Sequence, residues 1–102
     1  MSDIKRKSAV RTEQKNFAKR PKLYKVLLLN DNYTTMDFVV FILVDIFSKT
    51  IEEAKKIMLD VHKNGKSIAG VYPYDIAITK VETVKKRALE NEFPLQATIE
   101  ET

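Results

Sequence analysis

The chain has 102 residues, 44% of them apolar and 9% aromatic, with a formal net charge of +4. That is length for one domain with a single core, and not for two. The absence of cysteine excludes disulfides and thiolate chemistry, and the longest apolar run, Phe38 to Val44, is far too short to span a membrane.

Residues 1–22 hold eight basic side chains (Lys5, Arg6, Lys7, Arg11, Lys15, Lys19, Arg20 and Lys22) against Asp3 and Glu13, a net of +6 that leaves −2 for residues 23–102. The basicity therefore belongs to a polar extension and not to a nucleic-acid-binding face on the domain. Residues 1–22 show no apolar period and are predicted to be a disordered basic extension preceding a domain at 23–102. Lacking a signal-peptide pattern as well as cysteine, the chain is expected to be cytoplasmic.

Leu23 to Leu29 is short and apolar and runs into Asn30-Asp31-Asn32, which are turn formers; this predicts a buried strand followed by a loop. Thr34 with Asp37 three residues later is a candidate capping box for a helix reaching about Phe47. Thr50 with Glu53 is a cleaner one. It opens a helix whose inward stripe is Ile51, Ala54, Met58 and Val61, with Asn64-Gly65 as its stop. Lys66 to Tyr72 predicts a second strand, broken by Pro73. Asp75 is the candidate cap of a third helix with Ala77, Val81, Val84 and Ala88 inward. After Pro94, Leu95, Ala97 and Ile99 alternate with Gln96, Thr98 and Glu100, as in a strand with one solvated face. The predicted fold is α+β: a small three-stranded antiparallel sheet covered on one face by three helices, in the order β-α-α-β-α-β.

Catalysis needs a nucleophile, a positioned base or a metal cluster. His62 is the single histidine, Ser48 and Ser67 lie outside any nucleophile-elbow pattern, and no partner exists for a first-row metal site. Binding is the better class, with neither cofactor nor metal expected. Asn30 to Thr34 concentrates amide, carboxylate and hydroxyl oxygens between a strand and a helix. The stretch serves as an ordinary turn and cap, or as a polar rim beside an apolar cavity that accepts hydrogen bonds from a cation.

The stretches LYKVLLLNDNYTTMDFV at 23–39, IMLDVHKNGKSIAGVY at 57–72, TKVETVKKRALENEFPL at 79–95 and ATIE at 97–100, in this order and spacing, resemble the ClpS family of Clp protease adaptors. The resemblance implies a ClpS-like domain that binds proteins bearing N-terminal Leu, Phe, Tyr or Trp. It would hand them to the N-terminal domain of a ClpA-type AAA+ unfoldase, which feeds the ClpP peptidase, and it would bias the unfoldase's choice of substrates. It further implies that Asn30, Asn32 and His62 meet the substrate's α-amino group and first peptide unit, supported by Asp31 and Thr34. Met36, Val39, Met58, Val61 and Leu95 would line the side-chain pocket, Met36 acting as a gate against Val and Ile. Asp75 and Lys80 would dock on the unfoldase, and residues 1–22 would serve delivery. Asn32 departs from the family pattern, which usually carries aspartate there, so weaker degron binding or greater reliance on Asp31 is expected. Thr35 departs too, at a position where proline is common in the family. The implied protein is a bacterial monomer, with neither nucleic acid nor membrane as partner. The rival readings are a small basic protein associated with nucleic acid or the ribosome, and a small hydrolase built on His62.

Overall fold

β1 (Leu23–Leu29) forms the middle of a three-stranded antiparallel sheet, flanked by β2 (Lys66–Pro73) and β3 (Gln96–Glu101). Between the strands run α1 (Met36–Asp45), α2 (Ile51–Asn64) and α3 (Tyr74–Glu90), the predicted order of elements. The structure is a computed structural model and describes residues 21–102. The disordered extension expected at 1–22 therefore lies, but for its last two residues, outside the described residues.

Pleating sends alternate β1 side chains to opposite faces. Val26 and Leu28 are fully buried and join Phe38, Val39, Ile42, Leu43, Val61, Ala77, Val84 and Leu95 in one core beneath the helices. The β1–β2 register steps between Val26, opposite Gly70, and Leu27, opposite Ile68, which leaves Ala69 as the extra residue of a β-bulge. Ala69 is completely buried. A Cβ at Gly70 would clash with the Tyr72 ring and hydroxyl, so glycine leaves the room for the tyrosine ring to lie across the strand there.

α2 forms where its sequence predicts, but Ile51, expected on the inward stripe, is 58% exposed at the first turn. Thr50 Oγ1 accepts the Glu53 N–H at 3.1 Å, the Glu53 carboxylate accepts the Thr50 N–H at 2.9 Å, and Gly65 ends the helix at φ 88°.

Three predicted boundaries move. The cap of α1 is Thr35, whose Oγ1 accepts the Phe38 N–H at 3.2 Å; Thr34 is committed elsewhere, to Asp31. α1 stops at Asp45 because Ser48 adopts a left-handed φ of 57° and Lys49 N–H turns back to the Leu43 carbonyl at 3.1 Å. Asp75 does not cap α3. The helix starts at Tyr74 after Pro73, which carries no capping hydrogen bond, and Asp75 sits in the first turn, where a negative charge suits the helix dipole.

Candidate functional site

The loop after β1 is folded by a single carboxylate. Asp31 Oδ1 accepts the backbone N–H of Tyr33 at 2.8 Å and of Thr34 at 2.7 Å, while Oδ2 accepts the Thr34 hydroxyl at 2.7 Å. Burial by itself pushes the Asp31 pKa up, but the bonds from Thr34 and Tyr33 outweigh it and hold the carboxyl below its ordinary range. Asp31 is therefore ionised and internally engaged. The loop is also tied to α2: Asn30 N–H donates to the Gly65 carbonyl at 2.9 Å, one step beyond the Leu29–Lys66 pair that ends the β1–β2 ladder.

These ties bring the loop, the first turn of α1 and the last turns of α2 around one cavity of about 230 Å³. Its lining is Asn30, Asp31, Asn32, Thr34, Met36, Val39, Met58, Val61 and His62. The polar groups come from the loop and from His62, and the apolar wall from α1 and α2. Met58, Val61 and His62 are helical neighbours at spacings of three and four, so one turn of α2 supplies both an apolar wall and a polar end. Val39 and Val61 are nearly buried, whereas Met36 is 46% exposed, a flexible thioether standing at the mouth. Asn30, Asn32 and His62 are exposed, and among the described residues their side chains have no hydrogen-bond partner.

Every expected pocket residue but Leu95 lies on this cavity. Leu95 is buried in the core and instead lines a larger groove of about 700 Å³ between α3 and β3, with Val81, Leu89 and Phe93. Asp75 and Lys80 share a third concavity of about 440 Å³, between the end of α1 and α3, with Asp45, Ile46, Thr79 and Arg87. There the Lys80 ammonium donates to the Ile46 carbonyl at 2.7 Å and stands 5.5 Å from the Tyr72 ring centroid. Arg87 joins Asp45 at 2.5 Å across the same groove. Pocket size alone would favour the two larger concavities. The smallest of the three is the one where three unpartnered polar side chains converge beside exposed apolar atoms, the pattern of a binding site.

Two features of the site escaped the sequence reading: the engagement of Asp31 within the loop and the Asn30–Gly65 tie. The first had a signal. An aspartate with a threonine three residues on, ahead of a second threonine able to cap, is the pattern of an Asx turn leading into a helix. Among the described residues no group of three or more His, Cys, Asp or Glu could hold a metal ion, and no helix is long and apolar enough to cross a membrane.

Residues 19–98 match the model of the family described as ATP-dependent Clp protease adaptor protein ClpS. The chain belongs to the ClpS family. A ClpS adapter protein from Acetivibrio thermocellus is 56% identical over 94 residues, which cover 92% of this chain and 95% of that protein. One from Caulobacter vibrioides strain NA1000 / CB15N is 50% identical over 93 residues, covering 91% and 85%. Among solved structures, Agrobacterium tumefaciens ClpS2 bound to L-phenylalaninamide superposes with a TM-score of 0.78 at 38% identity, covering 81% of this chain and all of that one. The family model thus reaches from just before β1 to the middle of β3 and includes every residue around the cavity.

Proposed function

We propose that this protein is a non-catalytic adaptor that binds proteins through a free N-terminal Leu, Phe, Tyr or Trp and delivers them to a ClpA-type unfoldase. One observation carries this reading. A polar rim of Asn30, Asn32 and His62 stands beside an apolar pocket of Met36, Val39, Met58 and Val61, on a single cavity of about 230 Å³. L-Phenylalaninamide, the ligand of the solved relative, has the two parts this arrangement suits: a bulky apolar side chain and a free α-amino group.

The energetics require both parts. Burying a Leu or Phe side chain contributes about 1.5–3 kcal/mol. A micromolar complex needs about 8 kcal/mol, so hydrogen bonds to the α-amino group and first peptide unit must supply the rest. An acetylated N-terminus keeps one N–H donor in place of three and crowds the rim with its acetyl group, leaving acceptors there unpaired. Asp31 and Thr34 shape the rim, and Met36, at the mouth, disfavours β-branched Val and Ile.

Delivery would use the α1–α3 groove holding Asp75 and Lys80 as the face toward the N-terminal domain of the unfoldase, and residues 1–22 as the delivery segment. The protein would act as a monomer in the bacterial cytoplasm, and occupancy of the unfoldase would shift its choice among substrates. A binding series with Leu, Phe, Tyr, Trp, Val, Ile and acetyl-Leu at the first position tests the pocket. Tight binding of the first four and loss of the last three is expected; equal binding of acetyl-Leu would overturn the assignment. Deleting residues 1–18 should preserve peptide binding and abolish delivery.

A further inference from the structure

The rim contains one carboxylate, and most of its acceptor capacity is used within the loop. Three of the roughly four acceptor positions of the Asp31 carboxylate are taken by Tyr33 and Thr34, so this group reaches a ligand mainly through the loop it folds. The side chains left open on the cavity are Asn30, Asn32 and His62. All three are amphoteric. A carboxamide carries an oxygen acceptor and an NH₂ donor, and a neutral imidazole has one nitrogen of each kind. Turning a carboxamide over, or shifting the imidazole tautomer, reverses the polarity offered to the ligand. A carboxylate, which only accepts, has no such freedom.

We infer that this site recognises the head of its ligand chiefly as a hydrogen-bonding group, so that a neutral head is accepted as well as a positive one. The inference rests on the degron reading and narrows its chemistry. An ammonium finds three acceptors, whereas a hydroxyl in the same place donates once and receives from a reversed carboxamide. The ligand class is therefore a bulky Leu- or Phe-like residue whose α-position carries an ammonium, a neutral amine or a hydroxyl. Asn32 is the specificity-determining residue in this scheme, since an acid there would restore a direct, acceptor-only partner for an ammonium.

The test uses the full chain and three peptides that differ only at the head: Leu, its α-hydroxy analogue (2-hydroxy-4-methylpentanoyl) and its desamino analogue (4-methylpentanoyl). Competition against a fluorescent Leu-headed peptide gives the three Kd values for the wild type and for Asn32→Asp. The hydroxy peptide is expected within tenfold of the Leu peptide in the wild type, with the desamino peptide weaker than both by more than thirtyfold. In Asn32→Asp the Leu peptide should tighten about tenfold and the hydroxy peptide should not, so that their gap widens. A wild-type gap above tenfold between the Leu and hydroxy peptides would overturn the inference while leaving the degron reading intact. A desamino peptide that binds like the others overturns it as well, because the rim would then contribute nothing. Failure of the Leu peptide itself to bind would remove the degron reading and this inference with it. Circular dichroism of Asn32→Asp confirms that the comparison is between folded proteins.

Discussion

Replacing Asp31 with alanine removes one side chain and three hydrogen bonds, those from Tyr33 N–H, Thr34 N–H and Thr34 Oγ1. A hydrogen bond to a charged group contributes about 1.5–3 kcal/mol, and bonds sharing one half-buried carboxylate do not add in full. A loss of about 2 kcal/mol in the folded loop is therefore expected. Each residue freed from a single backbone conformation gains about 1–2 kcal/mol of entropy, so the loop would exchange among open forms. If only the closed loop binds, 2 kcal/mol corresponds to a Kd raised by up to about thirtyfold. Fluorescence anisotropy with a labelled Leu-headed peptide measures this directly. Asp31→Asn, which keeps one carbonyl oxygen, should fall between alanine and the wild type. Because Asp31 acts through the loop, ligands with amino and hydroxyl heads should weaken in the same proportion. Unchanged affinity in Asp31→Ala, or a loss confined to the amino-headed ligand, would refute the positioning role.

Other positions give sharper structural readouts. Gly65→Ala places a Cβ in open space but at φ 88°, so the expected cost is about 1–2 kcal/mol of backbone strain, seen as a lower urea midpoint with unchanged m-value. Glu53 has its pKa lowered chiefly by the Thr50 backbone N–H and by the Thr50 side chain. Its contribution to stability is therefore present above the unfolded-state pKa of about 4.3 and lost as pH falls through the lower folded-state value. Denaturation curves for Glu53→Gln should lack that part of the acid sensitivity. Lys80→Ala should reduce thermal stability as well as the proposed unfoldase docking, because Lys80 also caps the end of α1 at Ile46. Asp75→Ala, which frees no such contact, should affect docking more than melting temperature.

How much of this was legible in the chain depends on how local its cause was. The capping box at Thr50 and Glu53 and the stop at Gly65 act within a few residues, and α2 formed where they predicted. The alternation after Pro94 likewise reported a solvated strand, with Ala97 and Ile99 half-buried. Where two neighbours could fill one role, longer connections decided. Thr34 and Thr35 are equivalent as caps until Asp31 takes the first, and the cap then passes to the second. Leu95 has the character of a pocket residue, but its place beside α3 and β3 follows from chain topology. The bulge at Ala69 and the tyrosine ring over Gly70 beside it are features no periodic pattern records. The cavity residues of the loop and α2 were identified by family likeness, since their spacing in the chain says little about their meeting.

The bond from Asn30 N–H to the Gly65 carbonyl has a consequence for how the site opens. It lies one step beyond the last pair of the β1–β2 ladder, and a ladder unzips from its ends. Fraying at that end parts the loop bearing Asn30 and Asn32 from the helix bearing His62, so the binding site lies at an end of the sheet's ladder. A ligand held by both sides acts as a clasp across that end. Amide exchange at Asn30 should slow on binding far more than exchange at Val26 or Leu28, making one backbone proton a direct gauge of occupancy.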